Sequence, residues 1–477
     1  MIFYNMLILS SLEFKIYIFD YQLKNLTMRQ KLLLTALLAA SWTMHSQWAV
    51  QNTGFTANSR GLDEIHIVDA NTVWAKGYDG VAGANVQIFT KTTNGGTTWT
   101  PGTINIGSTT LEITNLMPIS ATTAWVGAVH PTNGLGGVWK TTNGGANWTK
   151  QNTTAYSTAG ASFFNVVHFF DENNGVTQGD PVAGEFEVYT TNNGGTSWTP
   201  VAAASIPDPE SDEYGYNGGN VAAGNSFWFV TNKGKLYRTT DMGVTWTKLN
   251  TPISDFSATA VGGQIFFSDN NNGILLARST TGSGSSAINT YTLYKTSNGG
   301  TSWDSGASYT APYTNLAYIK GTNILVGNGK DENDNFFTGY SNNNGTTWTQ
   351  IDTGVQRISI AFLNGTTGWA SGFTTVTGGV STGGIYKYTG STLGMEDFAS
   401  GKTFKAYPNP ANDQLNLSGT SINEVAIYDL LGKQVLNQKF SAQDQVNLNI
   451  SGLGTGIYVL TATNDSGAKE TIKFAKQ

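Results

Sequence analysis

The chain of 477 residues has no cysteine, so disulfide frameworks and thiol chemistry are both excluded. Charged residues make up only 12% and carry a formal net charge of −6. No basic stripe appears, so nucleic acid and anionic membranes are not expected partners. Histidine occurs four times, and after residue 45 only as His66, His130 and His168, with no His-x-His or Glu-x-x-His spacing. Zinc therefore has no ligand set, and no metal or other cofactor is expected. What is abundant is glycine, 57 residues, and aromatic side chains at 12%. That profile reads as β-structure with many turns rather than as disorder.

The rest of the chain is organised on one repeat. Residues 92–99 read TTNGGTTW, and copies follow at 141–148, 191–198, 239–246, 296–303 and 341–348. Each copy joins two short β-runs through Ser/Thr-x-Asp/Asn-x-Gly-x-x-Trp. Asn or Asp can bond to its own turn, Gly supplies a positive φ, and Trp buries a large ring against the sheet of its repeat. The tryptophans fall at Trp99, Trp148, Trp198, Trp246, Trp303 and Trp348. Spacings of this size mark one supersecondary unit per repeat, as in a propeller or solenoid. Seven apolar openings are present (65–68, 115–119, 165–170, 220–223, 264–267, 316–319 and 359–362) but only six turns. The seventh unit stops after its third strand, at residues 385–390. Residues 48–53, WAVQNT, resemble WTKQNT at 148–153, so Trp48 is expected to supply the missing outer strand and close the ring.

The repeat resembles the Asp-box (BNR) motif of sialidase-like and sortilin-like propellers. With TGWASG at 367–372 it looks most similar to the propellers of photosystem II assembly and stability factors. The resemblance implies an all-β fold, a seven-bladed β-propeller over 47–391, with the boxes on the outer, non-ligand side of each blade. After a linker at 392–402, residues 403–477 read as a small β-sandwich (Ig-like) domain. YPNP at 407–410, DLLGK at 429–433, LGTGIYVL at 453–460 and the terminal IKFAKQ make it resemble the C-terminal sorting domain of the type IX secretion system. That resemblance implies the type IX secretion machinery as a partner, and a secreted or outer-membrane surface location. At the other end, Arg29 and Lys31 precede the apolar run 32–40, which is too short to span a bilayer. Residues 28–46 are accordingly read as a signal peptide, and 1–27 as an extension from a start codon called too early. No transmembrane segment is expected in the mature chain, which is expected to be a monomer.

Function is less legible. All thirteen tryptophans sit in a repeat register, the closing strand or the signal peptide, which disfavours a Trp-lined sugar cleft. Sialidase chemistry needs three arginines for the substrate carboxylate. The propeller offers Arg60, Arg238, Arg278 and Arg357, and Arg238 occupies a third-strand position shared with Lys91, Lys140 and Lys295, where it should be outward and structural. The family's Phe-Arg-Ile-Pro signature is absent. Residues 330–335, KDENDN, lack calcium-loop spacing and read as a solvated loop. The second-to-third-strand and between-blade segments share one face, and the longest of them concentrate acids and tyrosines on blades three and four: GDPVAGE at 179–185 and IPDPESDEYGYNGGN at 206–220. The expected binding residues are Arg60, Asp180, Asp208, Glu210, Tyr214, Tyr216 and Arg278. The candidate catalytic carboxylates are Asp180, Glu210 and Asp212. The leading expectation is a non-catalytic module for an extracellular protein or glycan ligand, and the alternative is a sialidase-like or xyloglucanase-like glycoside hydrolase with a carboxylate pair on that face.

Overall fold

A computed structural model describes residues 47–81, 86–151, 155–393, 404–429, 432–464 and 469–477. The signal peptide, the N-terminal extension and most of the expected linker lie outside the described residues. The chain divides between residues 394 and 395 into two compact units.

The first unit is a ring of seven four-stranded antiparallel blades, the seventh and first joined into one sheet by the pair Gly61↔Phe373. Their first strands are Arg60–Ile67, Glu112–Pro118, Phe164–Phe169, Gly215–Ala223, Val261–Phe267, Tyr313–Tyr318 and Ile360–Asn364. Each adjoins the first strand of the next blade, so these seven strands form the inner wall. The seventh blade is completed by Trp48–Asn52, paired antiparallel with Val380–Tyr388 in the register Trp48↔Tyr388. The ends of the propeller segment are thus hydrogen-bonded in one sheet, and the ring has no open blade.

The repeated turn explains its own sequence. In every copy the Ser/Thr hydroxyl accepts the N–H of the second glycine position, at 2.9–3.0 Å. In every copy the Asn/Asp oxygen accepts the N–H four residues on. The first glycine position has positive φ, yet Met242 and Asn344 also occupy it. The second is glycine in all six and has positive φ in all six, and in several copies a Cβ there would also strike the neighbouring blade: 2.2 Å from Phe89 at Gly145, 2.8 Å from Val176 at Gly243 and 2.4 Å from Leu236 at Gly300. This turn is therefore a contact between blades as well as a hairpin.

The aromatic layers follow the same logic and correct two sequence expectations. The turn tryptophans pack between blades rather than on their own sheet alone: Trp148 of blade 2 meets Phe89 of blade 1, and Trp348 of blade 6 meets Tyr309 of blade 5. The second-strand tryptophans face forward, with Trp125 stacked on Phe169 at 3.5 Å and Trp228 on Phe267 at 4.1 Å. Arg238 is structural, as expected, but it turns across the blade boundary rather than outward. It lies over Trp228 and donates to the carbonyls of Asn270 and Asn298 in the next blade. Lys91, Lys140 and Lys387 repeat the arrangement over Trp74, Trp125 and Trp369, reaching Gly144, Gly194 and Gly95. Each cation joins a ring face and a turn carbonyl across a blade boundary. Lys140→Met is expected to lower stability by about 1–2 kcal/mol, the sum of one charged hydrogen bond and one cation–π contact. Chemical denaturation checks this, and an unchanged midpoint would contradict it.

A third set of links runs along the inner wall. Bulges in the first strands of blades 1, 2 and 6 precede Glu64, Asn115 and Asn315. Glu64 accepts the Leu116 N–H, Asn115 bonds both the N–H and the carbonyl of Val167, and Asn315 donates to Ile358. His66 and His168 lie on the same first strands, in blades 1 and 3. His66 is paired with Glu64 at 3.1 Å on the half-buried wall. His168 lies edge-on to Phe170, and burial pushes its imidazole down to about 3, helped by Lys320 and His66.

The second unit is a five-stranded β-structure: Lys405–Tyr407, Gln414–Tyr428, Gln434–Asn449, Gly456–Asn464 and Lys469–Lys476. Register shifts between Ser418 and Ile422 let Gln414–Tyr428 take part in two faces. Its first half pairs with Lys405–Tyr407, its second with Gly456–Asn464. Leu415, Leu417, Val425, Ile427, Leu448, Leu460 and Phe474 fill the space between them. The alternation of buried and exposed positions is that of a small sandwich with one inner face.

Candidate functional site

Both segments expected to be loops on the ligand face are built at least in part as strands. Residues 179–185 belong to a hairpin, Gly175–Val182 with Glu185–Thr191, turning at Ala183 and Gly184 with φ of 55° and 91°. The second half of 206–220 enters the first strand of blade 4, Gly215–Ala223. Blade 5 extends a similar hairpin, Gly273–Thr281 with Ile288–Thr296. Blade 7 does the same with Thr367–Thr377 and Val380–Tyr388. Gly-, Ser- and Thr-rich stretches read as loops, but their backbones pair with each other.

Asp180 sits at the register shift of the blade 3 hairpin, between Gly179 and Pro181. The shift turns its carboxylate to the blade boundary, where it accepts the Gly215 N–H of blade 4 at 3.0 Å and the Asn165 side-chain amide of blade 3 at 2.7 Å. Burial pushes its pKa up to about 6 against those two donors, and the nearby Glu187 adds to the rise. The backbone partner of this carboxylate thus comes from the neighbouring blade. Asn165 and Glu187 were not found from sequence. The signal for Asn165 was a polar residue inside the apolar run FFNVVHFF.

Two cavities meet at this carboxylate. One, of about 510 Å³, is lined by Phe163, Asn165, Asp180, Tyr214, Tyr216 and Asn217. The other, of about 610 Å³, is lined by Asp180, Pro181, Glu210, Ser211, Asp212 and Tyr214, among others. Asp180 and Tyr214 belong to both. Tyr214 is 43% exposed and stands edge-on to Tyr216 at 5.5 Å. The Tyr216 hydroxyl donates to Asp255 at 2.7 Å, and the Tyr214 N–H donates to Asn232. The ring is thus exposed on one side and fixed on the other.

The acidic run 208–213 is not uniformly solvated. Glu213 is buried, with its side chain 0% exposed. It accepts the Thr231 hydroxyl at 2.7 Å and the Glu210 N–H at 2.7 Å, and pairs with Lys248 at 3.2 Å. It anchors the loop to blade 4, which corrects its placement among the exposed acids. Glu210 is exposed and pairs with Lys235 at 3.0 Å, which lowers its pKa. Asp208 and Asp212 are exposed, and Asp212 holds a positive φ of 57°.

Asp180, Glu210, Asp212, Tyr214 and Tyr216 therefore come together, with Asp208 on the same loop. Arg60 and Arg278 do not join them. Arg60 pairs with Asp79 on blade 1 at 2.9 Å, beside a separate groove of about 380 Å³. Arg278 on blade 5 donates to the carbonyls of Ala258 and Thr259 and to Thr280. Arg357 forms a fork with Asp352. Asp331 of the 330–335 segment is taken up by the N–H groups of Asn333 and Asn335. Among the described residues, no three of His, Asp and Glu are grouped to hold a metal ion.

A larger cavity, of about 970 Å³, opens on the opposite face, at the ends of the first strands of blades 1–4. It is the mouth of the axial channel. Two of its charged groups are already engaged: Lys140 by the Gly194 carbonyl, and Asp171 by the N–H groups of Asn173 and Asn174. Size alone does not make it the ligand site.

Fold and site together define an exported β-propeller with a C-terminal sorting domain. Residues 405–477 match the family described as the secretion system C-terminal sorting domain. The match makes the chain a secreted or cell-surface protein with a type IX secretion address. Among the described residues, no helix is long and apolar enough to cross a membrane. No curated protein matches the chain. Similar solved structures include YCF48 from Cyanidioschyzon merolae, at 15% identity and TM-score 0.47 over 72% of this chain and 99% of that one. The xyloglucanase from Xanthomonas campestris matches at 11% identity and TM-score 0.46, over 79% and 60%. Trypanosoma rangeli sialidase matches at 10% and 0.37, over 87% and 84%. At such identities no residue of the site carries over.

Proposed function

We propose that the propeller is a non-catalytic binding module, displayed or released at the cell surface, that takes an extracellular ligand at the junction of blades 3 and 4. The observation that carries this reading is the pair of adjoining cavities sharing Asp180 and the exposed ring of Tyr214. Concave, partly apolar sites with a few convergent polar groups are where ligands bind. A carboxylate buried in a cleft with its pKa pushed up to about 6 is of the kind that clusters at functional sites. Glu213 supports the loop and Glu210 is paired with lysine, which leaves recognition rather than proton transfer as the simpler task for this rim.

The stability sign follows from the direction of the Asp180 shift. Its folded pKa lies above the unfolded value of 3.8, so the folded chain holds this proton more tightly. The contribution to stability is fully present below about pH 4 and is lost as pH rises through about 6. Asp180→Asn is thus expected to raise stability by about 1–3 kcal/mol at pH 7.5, with the gain vanishing near pH 4. Melting curves across that range check it. A uniform loss at every pH would contradict the assignment.

One observation favours a second reading, glycoside hydrolysis. Asp180 and Glu210 line the same cavity, as the paired carboxylates of a glycosidase must. The two readings separate on one comparison. A binding module releases no reducing ends from an oligosaccharide panel, whether parent or Asp180→Asn. A hydrolase does so as parent and loses at least 100-fold of its rate in the variant.

A further inference from the structure

We infer that the ligand at the blade 3–4 junction is an uncharged oligosaccharide that lies across Tyr214 with sugar units in both cavities. This rests on the binding reading above and adds the ligand class. The first argument is donor and acceptor balance. The cavities present Asp180, Glu210 and Asp212, and an ionised carboxylate only accepts hydrogen bonds. The ligand must bring donors, and the hydroxyls of a sugar supply them. Asn165 and Asn217 on the first cavity and Ser211 on the second can give as well as receive, as a ring of mixed hydroxyl and ether oxygens needs.

The second argument is charge. No lysine or arginine lines either cavity. The nearest cations along the loop, Lys235 and Lys248, are already paired with Glu210 and Glu213. Arg60 and Arg278 are engaged elsewhere. A uronic or sialic acid would meet carboxylates with no cation to receive it, and like charges juxtaposed in an interface cost several kcal/mol. Acidic glycans are therefore rejected.

The third argument is shape. Tyr214 divides two cavities of about 510 and 610 Å³, each within the size range of ligand sites. A ring exposed on one side offers an apolar face to the C–H surface of a pyranose, and its packing on Tyr216 fixes that face before the ligand arrives. A single sugar fills one side only, so affinity should climb with chain length until both sides are occupied.

The test is calorimetric titration of the full chain with cellotetraose, laminaritetraose and chitotetraose, against tetragalacturonate, 3′-sialyllactose and a Lys-rich peptide. Glucose and cellobiose provide the length series. At least one neutral tetrasaccharide is expected to bind, tenfold or more tighter than its monosaccharide, with no binding of the two acidic sugars. Tyr214→Ala is expected to weaken that binding at least tenfold and leave the melting temperature unchanged. Absence of binding by every neutral tetrasaccharide, preference for tetragalacturonate, or affinity independent of chain length would each overturn the inference. If an acidic sugar or the peptide binds and Tyr214→Ala abolishes it, the ligand class falls while the site stands. If a ligand binds and Tyr214→Ala changes nothing, the site falls with it.

Discussion

Trp48→Ala is expected to destabilise the propeller by about 3–5 kcal/mol, the usual result of emptying a large buried aromatic site. Trp48 is 2% exposed, although it lies at the start of the described chain. Its ring stands edge-on to Phe362 at 5.8 Å and to Tyr388 at 5.3 Å, and the Arg357 guanidinium covers it at 4.9 Å. Arg357 is held in turn by its fork with Asp352 of blade 6. The substitution therefore acts on blade 7 and on its junction with blade 6 together. Removing residues 47–53 should be worse, because Val380–Tyr388 would become an exposed edge and invite pairing with other chains. Denaturation and light scattering check both variants. A truncated chain that melts like its parent and stays monodisperse would mean that closure does not depend on this strand.

Glu213→Gln is the second large effect, expected at about 2–4 kcal/mol, near the cost of breaking a buried pair by removing one partner. The amide keeps one acceptor but turns a donor towards either the Thr231 hydroxyl or the Glu210 N–H, both of which now give to the carboxylate. Lys248 would keep its hydrogen bond to the Asp208 carbonyl at 2.9 Å, but its nearest carboxylate would be that of Glu210, at 3.8 Å. The neighbouring acids should behave differently. Changing Asp208, Glu210 and Asp212 together to their amides removes charge at exposed positions, where shifts of about half a kcal/mol are usual. The contrast is measured by urea unfolding of the two variants side by side. Equal stability would show that Glu213 is no anchor and that the loop is solvated along its whole length.

The ring was legible because its signals are local and repeated. Spacing of the turn tryptophans marks each blade, and the likeness of residues 48–53 to 148–153 pointed to the closing strand that pairs with Tyr388. What was hidden depends on neighbours in space. Glu213 sits in a charge run, and nothing local distinguishes it from Glu210; only the approach of Thr231 and Lys248 does. The blade 7 hairpin, residues 367–388, looked like an ordinary strand followed by Thr- and Gly-rich loop. Its exposed end is strand because Thr374–Thr377 and Val380–Gly383 pair with each other. The second glycine of each turn has the positive φ expected of it, and what the sequence hid is that a side chain of the preceding blade also closes the space a Cβ would need. At the site, the gathering of Asp180, Tyr214 and Tyr216 was readable from the clustering of long segments on one face. The exclusion of Arg60 and Arg278 was not, since each takes its partner from its own blade or the loop beside it.

Hydrogen–deuterium exchange of the full chain, with and without an equimolar mixture of the neutral tetrasaccharides, tests the placement of the ligand most directly. The account predicts slowed exchange at the amides of Phe163, Asn165 and residues 210–217, which line the two cavities. It predicts no change at residues 117–123 and 169–173, around the mouth of the axial channel on the other face. Protection confined to that mouth, with residues 209–217 exchanging as in the free chain, would contradict it.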